Sequence, residues 1–448
     1  MTYDEALAVL AARGRFGIRL GLGRTRALLH ELGDPQLAIR GALVGGTNGK
    51  GSVLALAGSA LRAGGLRIGE TPKPHLVSYR ERVMLDGRPI DAAAFARLVE
   101  RVLPVADRVA RRHGDPTEFE LLTAVVFLAF AEAGLDLALV EVGLGGRLDA
   151  THAWDGGVAA ITNVALDHMD RLGPTIKHIA REKAAIIERG DLAVTGADGE
   201  ALAIVRRRAR RMGVPLAEVT APPILGWDRD GIDIALPRLG GVRVGLRGRH
   251  QAVNAAVADA ILDAIEAAGI ATVNGAARRA GYRDATWPGR LELLTVGGRD
   301  VLLDGAHNPA GAAALAEAID DLRPFLTPGR MTLLTASMAD KDVDGVIAAL
   351  SRSRALADAR IVATAVAGGR AMPATDLAKR WAATRPGAAA TSSAGTPIPI
   401  EDPDAALDRA LDDAEGPVVV AGSLYLVGAA RARLVDDPAL RDPAPGAS

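Results

Sequence analysis

Short, wholly apolar runs alternate along this chain with longer stretches whose apolar residues recur at helical spacing. Residues 42–44, 137–142 and 158–164 read as continuous buried strands. Residues 3–13 and 24–32 read as amphipathic helices around a turn holding Gly21 and Gly23, and residues 92–112, 118–133 and 251–268 read as further helices. Buried strands alternating with helices predict a parallel sheet covered on both faces, with ligands beyond the carboxyl ends of its strands. Two prolines make residues 71–75 a loop, and residues 82–85 followed by Asp86-Gly87 predict a hairpin. Residues 221–249 change to short alternating segments rich in Gly, Pro and Arg. Thr286-Trp287-Pro288-Gly289 then reads as a linker. Strand–helix alternation resumes at 301–304 and continues through 331–335, 361–364 and 418–421. No internal repeat is present, and the Pro- and Asp-rich residues 437–448 are expected to fray.

Composition narrows the class. The 448 residues are 49% hydrophobic and 24% charged, with a net charge of −1, which suits two or three globular domains and gives no polyanion-binding surface. Nucleic acid is therefore not an expected partner. The absence of cysteine excludes disulfides, thiolate metal sites and a thiol nucleophile. The first residues show no secretory pattern, and the apolar stretch 121–131 is too short to span a membrane. A cytoplasmic protein without membrane contact is the expectation. Of 53 basic residues only six are lysines, at 50, 73, 177, 183, 341 and 379; a lysine retained among so many arginines is a candidate for chemistry a guanidinium cannot perform.

The candidate chemistry sits at strand ends. Gly45-Gly46-Thr47-Asn48-Gly49-Lys50-Gly51-Ser52 lies between an apolar strand and a helix-like run. Such a glycine loop aims backbone N–H groups and a helix N-terminus at one point, where a triphosphate can sit. Lys50 can neutralise phosphate oxygens and Ser52 can reach a magnesium ion. The spacing departs from the usual pattern: Val44 stands where a glycine is common, and Gly51 separates the lysine from the serine. Glu141 ends a strand before the glycine loop 143–149 and is placed to hold Mg²⁺. Leu166-Asp167-His168 and Asp304-Gly305-Ala306-His307-Asn308-Pro309 follow strands too. Taken singly, Glu141 reads as well as an acid paired with Arg147, His168 as a structural histidine, and Arg181-Glu182-Lys183 as a surface salt-bridge row. Asp304 could hold a ribose and His307 could face the reacting centre.

With these residues in view, the chain resembles the folylpolyglutamate synthase/dihydrofolate synthase family of Mur-type ATP-dependent amide ligases. Residues 46–52 resemble the family P-loop, residues 141–151 (Glu-Val-Gly-Leu-Gly-Gly-Arg-Leu-Asp-Ala-Thr) resemble its most specific motif, and Leu166-Asp167-His168, Glu182-Lys183-Ala184, Pro288-Gly289-Arg290 and residues 304–309 follow in family order. The resemblance implies an α/β fold, with a P-loop parallel-sheet ATPase domain over residues 1–285 and a smaller Rossmann-like glutamate-ligase domain over 286–448. It implies that Thr47, Asn48, Gly49, Lys50, Gly51 and Ser52 bind ATP together with Asn254, Arg290 and Asp304. Glu141 and His168 join Ser52 as ligands of one or two Mg²⁺ ions, and Lys183 is carbamylated to hold metal. Thr117, Leu148, Asp149 and Ala150 match positions that hold the pterin, and His307 lies near the incoming glutamate. The family is usually monomeric.

Three positions depart from the family. Lys73 stands where a serine usually ligates magnesium, and an ammonium cannot be a ligand. His152 replaces a usual asparagine, and the N-terminal folate loop near residues 12–15 matches poorly. The implied reaction is ATP-dependent addition of L-glutamate to dihydropteroate, to a reduced folate, or to both, through an acyl phosphate. A Mur-type ligase for another carboxylate acceptor and a P-loop ATPase acting on a protein partner are the alternatives.

Overall fold

The first sheet collects eight strands: β1 (Gly41–Gly45), β2 (Ile68–Thr71), β3 (Met84–Leu85), β4 (Arg88–Pro89), β5 (Leu137–Glu141), β6 (Gly157–Ile161), β7 (Leu192–Thr195) and β8 (Leu216–Glu218). In this computed structural model, which describes residues 1–443 apart from 15, 16, 18, 369 and 385–394, they lie in the order β4-β3-β2-β5-β1-β6-β7-β8. The six strands from β2 to β8 run parallel, and the β3–β4 hairpin adds an antiparallel edge. The chain leaves β1 toward β2 on one side and returns to β6 on the other. The strand order thus reverses beside β1, which opens a crevice over the carboxyl ends of β5, β1 and β6.

Both faces of this sheet are buried, as unbroken apolar strands require. One face packs against the helices Ala92–His113 and Glu118–Glu132, with Phe95, Phe127, Phe130 and Trp154 in its core. The other packs against Lys50–Ala63 and Gln251–Ala267, with Leu54, Leu56, Ile261 and Tyr282. Between residues 224 and 244 a small antiparallel sheet forms from β9 (Ile224–Asp228), β10 (Gly231–Leu236) and β11 (Gly240–Val244). The second domain is built on β12 (Glu292–Val296), β13 (Arg299–Asp304), β14 (Thr332–Thr335), β15 (Arg360–Ala363), β16 (Ile398–Pro399) and β17 (Val418–Ala421), ordered β12-β13-β17-β14-β15-β16. Only β12 is antiparallel in this sheet.

Local sequence and structure part company in three places. The strand expected over 158–164 stops at Ile161, because Thr162 turns to donate its hydroxyl to the Asn48 carbonyl at 2.6 Å. The strand β2 escapes a search for apolar runs because it reads Ile-Gly-Glu-Thr; its Glu70 is buried against Arg62. The tail expected to fray is docked as far as it is described. Asp442 accepts hydrogen bonds from Ser78 Oγ (2.6 Å) and Arg80 Nε (3.1 Å), while Arg80 also donates to the carbonyls of Ala439 and Arg441. Residues 444–448 lie outside the described part.

Candidate active site

The glycine loop after β1 is a preformed anion cradle. The helix Lys50–Ala63 begins on Gly49, which has φ 81° and makes no side-chain cap, so the first N–H groups of that helix have no partner of their own. Thr47 and Asn48 instead spend their N–H groups on the neighbouring loop: Thr47 N donates to Asn163 O at 3.0 Å and Asn48 N to Asn163 Oδ1 at 2.9 Å. Thr47 Oγ1 also accepts from Ala165 N at 3.0 Å. Thus the loops after β1 and β6 are fastened together, and among the described residues the donors left open in the loop are those from Gly49 onward. Lys50 Nζ folds back to the carbonyls of Gly46 and Thr47, both at 3.1 Å, and stands 3.7 Å from Glu141 Oε1.

The cradle opens into a cavity of about 580 Å³ between the two domains. Its walls carry Thr47, Asn48, Gly49, Lys50, Gly51, Ser52, Glu141, His168, Lys183, Asn254, Arg290, Asp304 and His307. Residues from 47 to 307 in the chain therefore meet in one place.

Charge inside the cavity is set by burial. Glu141, 3% exposed, is pushed above the usual carboxylate range by burial, against the pull of Lys50 and Lys73. Lys183 is 5% exposed and donates to Gly46 O at 2.8 Å. Burial, with Lys50 nearby, brings its pKa down to about 7. Lys73 donates its backbone N–H to Glu141 Oε2 (3.0 Å) and its ammonium to Glu141 O (2.5 Å), with the ring of Phe119 at 5.2 Å. Burial lowers its pKa to about 8, with Asp149 and Glu141 opposing. His307 Nδ1 lies 2.8 Å from Gly305 O, and burial lowers this histidine to about 4. Asp304, raised by burial, accepts backbone N–H bonds from Leu291 and Ala306, both at 2.9 Å. His168 occupies a left-handed turn (φ 50°) with its ring 43% exposed.

The residues present suit a hard divalent cation. Among the described residues, Ser52 Oγ has only a long 3.4 Å contact with Gln251 Nε2, and Glu141 offers buried carboxylate oxygens on the same wall. No group of three or more His, Asp or Glu side chains converges on a metal position among the described residues, so phosphate oxygens and water would complete the shell, as is usual for a nucleotide-borne ion.

The pterin candidates take other places. Thr117 caps the helix Glu118–Glu132 in a reciprocal box with Glu120. Asp149 holds the N–H groups of Leu144 (2.7 Å) and Thr151 (3.0 Å), and Leu148 O accepts from Gly21 N at 3.3 Å. Ala150 is buried. None of the four lines the large cavity, although their neighbours Phe119, Gly143 and Leu144 do.

Sequence reasoning passed over a cross-domain clasp. Lys341 Nζ donates to Asp167 Oδ1 at 2.8 Å, and Asn308 Nδ2 donates to both Asn48 Oδ1 and Asp167 Oδ2 at 3.1 Å. Burial would raise Asp167, but the Lys341 hydrogen bond and the His168 charge hold it well below its ordinary range. Lys341 carried one available signal, as one of six lysines in an arginine-rich chain.

Known proteins resemble this chain in sequence and fold. Residues 44–262 match the Mur ligase middle domain, and residues 289–424 match the Mur ligase glutamate ligase domain. The dihydrofolate synthase/folylpolyglutamate synthase of Bacillus subtilis is 34% identical over 360 residues, covering 77% of this chain and 82% of the relative. Among solved structures, Mycobacterium tuberculosis folylpolyglutamate synthase complexed with ADP and AMPPCP superposes with a TM-score of 0.85 at 31% identity, covering 97% of this chain and 100% of that one. A bifunctional folylpolyglutamate synthase/dihydrofolate synthase with Mn, AMPPNP and L-glutamate bound superposes with a TM-score of 0.80 at 29% identity, covering 97% and 98%. In sequence and in fold, this chain belongs to the folylpolyglutamate synthase/dihydrofolate synthase family of Mur ligases.

Proposed function

We propose that this protein joins L-glutamate to dihydropteroate, to a reduced folate, or to both, at the expense of ATP. The observation that carries the reading is the interdomain cavity in which the open helix N-terminus and Lys50 meet Glu141, Lys183, Arg290 and His307. An acceptor carboxylate oxygen attacks the γ-phosphorus, the bond to the β-phosphate oxygen breaks, and ADP leaves. The glutamate amine then attacks the acyl carbon, the carbon–oxygen bond to phosphate breaks, and the amide forms with release of phosphate and a proton. Lys50 and the N–H groups from Gly49 onward stabilise charge on the transferring phosphoryl group. Bound at Ser52 and Glu141, Mg²⁺ would screen the phosphates and orient the γ-phosphoryl. His307, on the cavity wall and neutral at physiological pH, is suited to accept a hydrogen bond from the incoming amine. Asn254, Arg290 and Asp304 contact the nucleotide in this reading, and Thr117 with residues 148–150 serves the pterin end after a local rearrangement.

Lys183 belongs to the same proposal. Its neutral amine fraction can add CO₂ to give a carbamate and a proton, turning a cation beside the glycine loop into an anion. The domain boundary at 285/286, a monomeric state and a cytoplasmic location go with this reading. The direct test is phosphate release by purified protein with Mg-ATP and L-glutamate. Turnover with dihydropteroate marks dihydrofolate synthesis, and turnover with tetrahydrofolate marks polyglutamylation. Turnover with neither rejects the folate acceptor.

A further inference from the structure

The loop after β2 brings an ammonium into the nucleotide cavity at a position where the family resemblance leads one to expect a metal-binding hydroxyl. Lys73 wraps around Glu141, giving its backbone N–H to one carboxylate oxygen and its ammonium to the carbonyl of the same residue. The other carboxylate oxygen, Oε1, faces the Lys50 ammonium at 3.7 Å. Glu141 is thus already approached by a cation or a donor at both carboxylate oxygens. Only one ammonium hydrogen of Lys73 is used on the protein, which leaves two N–H donors on the cavity wall without a protein partner among the described residues. Lys50 and Lys73 thus bring two cations to one carboxylate that is only 3% exposed. Such a wall repels a second divalent ion and itself binds phosphoryl oxygens.

We propose that Lys73 stands in for one divalent cation: the site takes a single divalent ion with each nucleotide, and the Lys73 ammonium supplies the remaining positive charge to the phosphates. The inference rests on the nucleotide-binding reading above.

The test counts ions. The purified protein is saturated with AMPPNP and titrated with Mn²⁺, and bound Mn²⁺ is measured by electron paramagnetic resonance. One ion per chain is expected, and the Lys73→Ser variant should bind two. Lys73→Met, which removes the charge and adds no ligand, should keep one ion and weaken AMPPNP by about tenfold or more. Two ions in the unmodified protein would overturn the proposal, and that count needs no variant to fold. One ion in both the unmodified protein and Lys73→Ser would overturn it as well, since Lys73 would then not set the number. Failure of AMPPNP to bind at all would reject the nucleotide site itself, a result distinct from binding with two ions.

Discussion

Lys183 shows how one buried side chain acquires chemistry from its surroundings. Burial beside Lys50 lowers its pKa to about 7, so the neutral amine grows as pH rises through 7. Carbamate content, read by ¹³C NMR under ¹³CO₂, should rise from pH 6 to 8 at constant dissolved CO₂ and vanish in Lys183→Arg. No carbamate signal at pH 8 would remove that part of the proposed function. Histidines carry the opposite information about stability. His75 and His250 are both lowered to about 4, chiefly by burial, with Arg82 adding to the effect at His75. An unfolded histidine titrates at about 6.5, so between pH 6.5 and 4 the unfolded chain binds more protons. Their contribution is therefore present above 6.5 and lost progressively as pH falls through 4. The melting temperature should drop across that window, and His75→Gln should flatten part of the drop. The glutamine oxygen can accept from Arg82 Nε, as His75 Nδ1 now does at 2.9 Å.

At the scale of elements, the glycine loop is fixed by space as much as by phosphate chemistry. A Cβ at Gly49 would lie 2.3 Å from Asn254 Oδ1 and would have to adopt φ 81°. A Cβ at Gly51 would lie 2.7 Å from the Trp287 ring. The loop can start its helix only because both positions lack a side chain, and that absence lets Asn254 and the 286–289 linker close over it. Gly51→Ala is expected to destabilise the protein by about 1–3 kcal/mol through displacement of Trp287, and denaturant unfolding followed by tryptophan fluorescence would measure it. Thr117 separates two roles by experiment. Its capping box makes Thr117→Ala cost about 1 kcal/mol, while Thr117→Ser keeps the cap. If Thr117→Ser raises KM for the pterin with stability unchanged, the residue also touches substrate; an unchanged KM leaves it a cap alone.

Across the whole molecule, the clasp of Lys341 and Asn308 on Asp167 and Asn48 couples the second domain to the phosphate loop. The Asp167 and Lys341 side chains are only 11% and 17% exposed, so truncating one leaves the other poorly solvated and is more costly than losing a surface pair. Lys341→Ala should lower kcat by about tenfold or more and raise ATP hydrolysis in the absence of acceptor, because a looser cleft admits water to the γ-phosphate. Phosphate release with and without acceptor reads both effects. An unchanged ratio would show that the clasp does not govern closure.

The division of labour follows from the range of the forces. The sequence by itself determined the elements and their class: wholly apolar runs such as Leu137–Glu141 have no polar face to expose and must lie inside a covered sheet. It also determined the glycine loop, since few other residue patterns between a strand and a helix leave so many N–H groups free. Glu141, His168, Lys183, Asp304 and His307 were legible because each sits in a motif at or near an element end. Tertiary structure alone decided the rest. Asp167 and Lys341 lie 174 positions apart and meet only when two sheets face each other. Glu70 can sit inside a strand only because Arg62 comes from a neighbouring helix. The tail holds only because Arg80 and Ser78 wait for it. The lowered pKa of Lys183 likewise belongs to no local pattern, because desolvation is a property of everything packed around the amine.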